Sequence, residues 1–439
     1  MKQSQAAGTI GRSFMRRTLL LIPHEIASIP VFGFGWILGL MVLAAIGVTL
    51  ALKLQGRGIA EFWKLNGVVW LVGAGVVALV MPNVELKSVT GETVGMAIRG
   101  YGVMLLLGVI ASVALALARA RRYGIPVEII LGIAPWLLVG GILGARAFYV
   151  IEYRDQFLTG NLITTIKNIL NFTEGGLVVY GSFIGGFLAG VAYVLRHGLP
   201  FLRMGDVIVP CLFIGLSLGR LGCLMNGCCF GGACEDHWTA LKFPNGSPVF
   251  LEQLTSGELV GLTIDQTQMV VTAVKADSLA SDEGIKVGDA VNQLSARRWI
   301  EEAKPNVPAE DAPLGLVAII GGKEFAWAPS QLPMHANPVR PTQVMSSIGG
   351  LLLCLSLCLF SKFVYRDGVV MFVGFASYAV LRFVMEILRN DEPGQFGTDL
   401  TIAQWVSIVV FSLAGCGLIW LLTRQQPQAH EHQVGAAGG

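Results

Sequence analysis

The chain has 439 residues, of which 54% are hydrophobic and only 14% are Asp, Glu, Lys or Arg, whereas soluble domains carry ~25% charged residues. At a mean hydropathy of +0.64 most of it cannot face water, and a net charge of +2 leaves no basic field for nucleic-acid phosphates. The polar residues are uneven: apolar stretches fill both ends, and a polar block at 232–340 separates them.

A helix crosses a ~30 Å hydrocarbon core with ~20 apolar residues. In chain order this predicts spans at 32–52, 65–82, 102–118, 127–150, 176–195, 206–223, 343–361, 369–388 and 402–422, about nine in all. Continuous apolar runs of this length exclude a transmembrane barrel. Met15 to Pro23 is too short an apolar core for a cleaved signal peptide. Basic residues collect in cytoplasmic loops, and here they fall on alternate connections: Lys53, Arg57 and Lys64; Arg119, Arg121 and Arg122; Arg196 and Arg203; Lys362 and Arg366; and Arg424 at the end. The polar block then lies on the outer side, together with the start of the chain, against the preference of Arg12, Arg16 and Arg17. The first span also opens like the third: Ile29-Pro-Val-Phe-Gly-Phe-Gly35 echoes Met96-Ala-Ile-Arg-Gly-Tyr-Gly102, and only the second copy carries polar side chains, Arg99 and Tyr101.

Ionisable groups inside spans cost ~2.5–3.5 kcal/mol or more each and therefore need a partner or a ligand. Tyr378, Arg382, Glu386 and Arg389 share one face of the eighth span, where Arg382 and Glu386 can pair. Arg220 stands near the end of the sixth span, in Gly219-Arg220-Leu-Gly-Cys223-Leu-Met-Asn226-Gly227-Cys-Cys-Phe-Gly231. Two arginines from separate helices at headgroup depth suit a phosphate, since guanidinium forms two-pronged charge-assisted bonds. Glu174-Gly-Gly-Leu-Val-Val-Tyr180-Gly opens the fifth span.

These strings, with Arg99-Gly-Tyr101-Gly, Asp206, Pro341-Thr-Gln343 and Tyr378-Ala-Val-Leu-Arg382, occur in the order found in prolipoprotein diacylglyceryl transferases, which the chain resembles over 96–231 and 338–422. The resemblance implies an α-helical polytopic membrane enzyme of the bacterial cytoplasmic (inner) membrane, its active site facing the outer side. Such an enzyme moves the diacylglyceryl group of phosphatidylglycerol onto the lipobox cysteine of a preprolipoprotein, using no metal and no cofactor. On that pattern Arg220, Arg382, Tyr180, Glu386 and Tyr101 are catalytic, while Arg99, Asp206, Asn226, Gly227, Gly231, Tyr378 and Gln343 bind substrate. The chain departs from the pattern where the family has histidine or polar residues: Tyr180 replaces a frequent histidine, Cys223 an Asn, Cys228 a Glu, Arg340 a His and Ser346 a Glu. A tyrosine of ordinary pKa ~10 is a poor base at neutral pH, so Tyr180 is assigned a positioning role.

Four of the eight cysteines crowd at Cys223, Cys228, Cys229 and Cys234. An outer-side location favours a disulfide, for example Cys228 or Cys229 with Cys234, and the spacing matches no standard zinc motif. Within the block, Leu259 to Val291 resembles a PDZ domain in its strand, small-residue turn, short helix and Gly288-Asp289 step. That resemblance implies a peptide or chain end bound at Gly261 and Leu262. The expected organisation is an N-terminal extension with two extra spans (1–95), a transferase core in two parts (96–231 and 341–424), a β-rich extracytoplasmic insertion (232–340) and a flexible tail (425–439). Two other classes share some of these features. His24-Glu25-Ile-Ala-Ser28 begins like the H-E-x-x-H of a metalloprotease but lacks the second histidine. A transporter with an arginine-lined anion site is the non-enzymatic reading.

Overall fold

The computed structural model describes residues 17–56, 58–157, 161–170, 176, 178–304, 307–389, 394–395 and 397–424. Arg12, Arg16, Arg57, Glu174 and the expected tail lie outside them. The chain divides into two compact units, Met1–Met104 with Leu221–Val344, and Leu105–Arg220 with Met345–Gly439. The N-terminal extension and the insertion, expected as separate domains, thus cluster in one unit.

Eight helices among the described residues are long and apolar enough to cross a membrane, from Trp36–Leu54 to Ile402–Thr423. The expected fifth span forms a ninth, shorter helix, Val179–Arg196. Gly176 at φ +78° and extended Val178 delay its start, and Arg196 occupies its last position. Its apolar length is therefore about 26 Å at 1.5 Å per residue.

In the first unit the N-terminal arm Thr18–Pro23 pairs antiparallel with Thr93–Arg99, so that Thr18 lies beside Arg99, and Leu86–Lys87 extends the same sheet. Helix Ile59–Gly75 continues through a π-helical turn, Val76–Val80, into Met81–Val84. Pro82 has no amide hydrogen to continue the regular ladder, which accounts for a π turn just before it. No residue of Trp36–Leu54 is buried; with apolar side chains all round, such a helix is built for lipid. Each copy of the repeat leads from a strand, Ile29–Pro30 or Thr93–Arg99, into a spanning helix. The metalloprotease reading fails here. Glu25–Ile26 and Ile29–Pro30 pair as a hairpin rather than a helix, and His24 pairs with Glu85.

The polar block of the same unit forms two small antiparallel sheets, Leu262–Asp265 with Val270–Val274, and Val291–Arg298, Leu314–Ile320 and Lys323–Trp327 with the second strand central. Helix Pro248–Thr255 begins at Ser247, whose hydroxyl accepts the Phe250 amide, and places Phe250 and Leu254 in a core with Leu316, Ile320 and Trp327. Alternation along Leu314–Ile320 is weak because the strand is buried almost throughout.

In the second unit, Val127–Glu152 and Val179–Arg196 cross at a glycine contact. A β-carbon on Gly144 would stand 2.3 Å from the Gly181 carbonyl oxygen and 2.7 Å from Gly185 Cα, so these positions tolerate nothing larger. Helix Val369–Ile387 precedes Ile402–Thr423, whose first turn carries a full capping box between Thr401 and Gln404.

Candidate active site

In the first unit the end of Phe201–Asn226 sets the geometry. Gly227 adopts φ +76° and donates to the Cys223 carbonyl at 2.9 Å, a left-handed cap that a side chain would resist. Beyond it, Gly231 and Arg340 exchange a backbone bond at 3.1 Å, Thr342 Oγ1 donates to the Cys229 carbonyl at 3.0 Å, and the fully buried Gln343 donates Nε2 to the Cys228 carbonyl at 2.9 Å. Gly231 must stay a glycine, because a β-carbon there would lie 2.7 Å from Arg340 Cβ. Asn226 and Gly227 line a cleft of about 500 Å³ whose other walls include Arg17, Thr18, Glu310 and Asp311.

Arg99, for which the sequence named no partner, is bonded to three residues of that cleft's wall. It donates to both Asp311 oxygens at 3.1 Å, to Thr18 Oγ1 at 2.6 Å, and pairs with Glu310. Arg17 donates to the Gly246 carbonyl at 3.0 Å, which ties the N-terminal arm to the block. Arg298 completes a group of three arginines around two carboxylates. Burial first, then the neighbouring Arg17 charge, pushes its pKa below the usual arginine range. Tyr101 begins the Gly100–Arg122 helix and is partly exposed, its ring lying against Gly222.

The second unit holds the other candidates. Glu386 is 3% exposed, pairs with Arg382 one turn earlier and accepts the Thr401 hydroxyl at 3.3 Å. The pair is therefore seated on the cap of the next helix. Tyr378, one turn before Arg382, packs its ring 5.7 Å from that of Phe213, and Tyr180 is exposed in the first turn of Val179–Arg196. Arg220 is half-buried and makes no hydrogen bond or ion pair among the described residues.

Asp206 is not part of this group. Its buried carboxylate accepts the amides of Gly368 at 2.6 Å and Met371 at 2.7 Å, capping the Val369–Ile387 helix. Fourteen residues of the same helix separate it from Arg220, about 21 Å. Arg119, expected in a solvated loop, is buried instead. It donates to the carbonyls of Asp206 at 2.8 Å and Val207 at 3.2 Å and to Ser361 Oγ at 3.2 Å. Both residues fasten helices together at the end of the span away from Arg220.

The family model for prolipoprotein diacylglyceryl transferase matches residues 89–421. This chain belongs to the prolipoprotein diacylglyceryl transferase family. Among relatives, the phosphatidylglycerol–prolipoprotein diacylglyceryl transferase of Rhodopirellula baltica is 42% identical over 430 residues, 91% of this chain and 87% of that protein. Transferase 2 of Clostridium perfringens is 25% identical over 326 residues, 74% of this chain and 91% of its own. The Clostridium tetani transferase is 34% identical over 152 residues, 33% of this chain and 56% of its own.

As a diacylglyceryl transferase family member the chain has one further buried arginine that the sequence reading passed over. Arg146, in the middle of the Gly-Ala-Arg-Ala run of Val127–Glu152, donates to the carbonyls of Asn168 at 2.7 Å, Ile169 at 2.9 Å and Gly176 at 3.1 Å. It lies over the rings of Tyr149 and Phe157. It holds the backbone that leads to Tyr180, and its signal was plain: an ionisable residue in an apolar span. The cysteines also differ from expectation. All eight are thiols. The backbone of Cys234 pairs with Pro338, while the sulfurs of Cys228 and Cys229 gather with that of Cys223. In the block, the amide of Gly261 donates to the Glu258 carbonyl and that of Leu262 to Gly257, so neither is open to a chain end. Leu262–Asp265 pairs on one side only, with Val270–Val274.

Proposed function

We propose that this chain transfers the diacylglyceryl group of phosphatidylglycerol to the lipobox cysteine of preprolipoproteins. The cysteine thiolate attacks the glycerol carbon that bears the phosphate ester. A carbon–sulfur bond forms, the carbon–oxygen bond breaks with its electron pair left on phosphate oxygen, and glycerol phosphate departs as an anion; the thiol proton passes to solvent. Family membership supports this reading, and one observation carries it within the chain: Arg220 is a half-buried cation in an apolar helix without an acid among the described residues. A cation so placed is available to the phosphate, and its attraction grows as negative charge accumulates on the leaving oxygen. Arg382, oriented by Glu386, is the second guanidinium. Tyr101, Tyr378 and Tyr180 position the substrates, with Asn226 and Gly227 at the cleft. An arginine field also lowers the pKa of an approaching thiol, which replaces the missing histidine base.

The reading extends to location and to the block. Basic loops on alternate connections support an outer-side location for the cleft in a bacterial cytoplasmic membrane, and Arg17 would accompany the block because it is bonded to it. The block is read as a PDZ-like module that receives an extended peptide along the Leu262–Asp265 edge.

The test is reconstitution of the whole protein with phosphatidylglycerol vesicles and a lipobox peptide, followed by mass spectrometry of the peptide. The expected product carries a diacylglyceryl thioether. A peptide left unmodified under conditions where the Rhodopirellula baltica relative works would remove the assignment, and equal yield from an Arg220→Ala protein would remove the mechanism.

A further inference from the structure

Three thiols at the close of the Phe201–Asn226 helix take no part in the chemistry proposed above. Cys223 lies in the last turn of that helix. The left-handed Gly227 reverses the chain, the Cys228 amide donates back to the Cys223 carbonyl at 3.1 Å, and Cys228 and Cys229 return over the helix end. All three sulfurs lie within 4.8 Å of one another, half-buried, and the Cys228 thiol donates to the Cys223 carbonyl at 3.8 Å. Cys229 sits at φ +56°, a conformation that side-chain-bearing residues adopt only when their surroundings impose it.

Those surroundings are specific. The carbonyls of Cys228 and Cys229 are gripped by the buried side chains of Gln343 and Thr342, so the loop is fixed from behind by groups that are not themselves sulfur. A disulfide requires a sulfur–sulfur distance of ~2.0 Å and would leave the third thiol over. Three thiolates around one tetrahedral zinc ion, with Zn–S ~2.3 Å, stand about 3.8 Å apart. The cluster is therefore within about 1 Å of the zinc arrangement and is made of the donor type that zinc prefers.

We infer that Cys223, Cys228 and Cys229 bind one zinc ion as thiolates. Binding releases their three protons to solvent. Three protein ligands leave the fourth position for water or another small ligand, the coordination of reactive rather than purely structural zinc. The spacing escaped the sequence analysis because two ligands are adjacent residues, one of them in a left-handed conformation. Asn226 and Gly227, which line the cleft, lie between the ligands in the chain, so the ion would border that cleft without depending on what the cleft binds.

The test uses the full chain in detergent, reduced, stripped of metal, with its thiols counted. Cobalt(II) is titrated in as the coloured substitute for zinc. The expected result is an intense thiolate-to-cobalt band that saturates at one ion per chain and is displaced by zinc. It is lost in Cys223→Ser and separately in Cys228→Ser, and retained in Cys234→Ser and Cys416→Ser, with all four variants monodisperse. No band in the reduced protein would overturn the site, as would a band that survives both Cys223→Ser and Cys228→Ser. A disulfide within the trio, found by mass spectrometry in protein isolated without reductant, would also overturn it. None of these readouts involves transferase activity, so the site can fail while the enzymatic assignment stands.

Discussion

Arg99 and Arg220 are both arginines of family motifs near the end of an apolar segment, yet their surroundings are opposite. Arg99 is held by Asp311, Glu310 and Thr18; Arg220 has no protein partner among the described residues. A guanidinium already neutralised by two carboxylates has little attraction left for an anionic substrate, whereas an unpaired one in low dielectric has much. The contrast teaches that the same residue type fastens the arm and block in one unit and stands without a partner among the described residues in the other. Arg382 stands between these extremes, paired with Glu386 but at a place where the family expects chemistry.

Changes at these three arginines test the contrast, and the largest effect is expected at the buried pair. Glu386→Gln removes a carboxylate that is almost fully enclosed, leaves Arg382 uncompensated and should cost ~3–5 kcal/mol of stability, read as a lowered unfolding midpoint in detergent. An unchanged midpoint would mean that the pair does not bind the helices. Arg220→Ala breaks no bond among the described residues, so the midpoint should hold while turnover falls ~10²–10³-fold, the usual loss when one charge-stabilising donor is removed. A fall in midpoint as large as that of Glu386→Gln would end the distinction between the two sites. The double substitution Glu310→Gln with Asp311→Asn frees Arg99 and should lower stability by ~1 kcal/mol or less, because the acids are partly exposed. It should also reduce the KM for phosphatidylglycerol, by leaving an unpaired cation beside the cleft wall that Glu310 and Asp311 form. A KM that stays put would show that Arg99 is only a fastener.

The smallest effect concerns pH. Asp265, half-buried at the end of its strand, has its pKa lowered by the amides of Thr267 and Gln268. A carboxylate depressed in this way contributes stability above its unfolded pKa of ~3.9, and that contribution disappears as pH falls through the lower folded value. Asp265→Asn should therefore lower the block's stability slightly at neutral pH, a difference from the parent that shrinks as pH falls below about 4. A change at pH 7 matching that at low pH would contradict the assignment.

The sequence made the helices legible because a bilayer sets their length and demands continuous apolar runs. It also revealed Arg382 and Glu386, since their spacing alone brings them together. It missed what long-range folding creates. Nothing near Arg99 in the chain names Glu310 and Asp311, and Asp206 reads as a ligand for substrate until the amides of Gly368 and Met371 are seen to hold it. Val179–Arg196 came out shorter than expected because hydropathy does not register the left-handed Gly176. The thiol cluster was partly readable: Asn-Gly at a helix end announces a reversal, which would have brought Cys228 back to Cys223.

The backbone pairing of Gly231 and Gly232 with Arg340, and of Ala233 and Leu241 with Val339, gives the polar block a hinge-like seam: the chain leaves and returns at neighbouring points. Whatever is spliced beyond that seam can grow, shrink or be exchanged without altering the spacing of the helices that precede and follow it. Selection can thus remodel the polar block while leaving the membrane-spanning helices untouched.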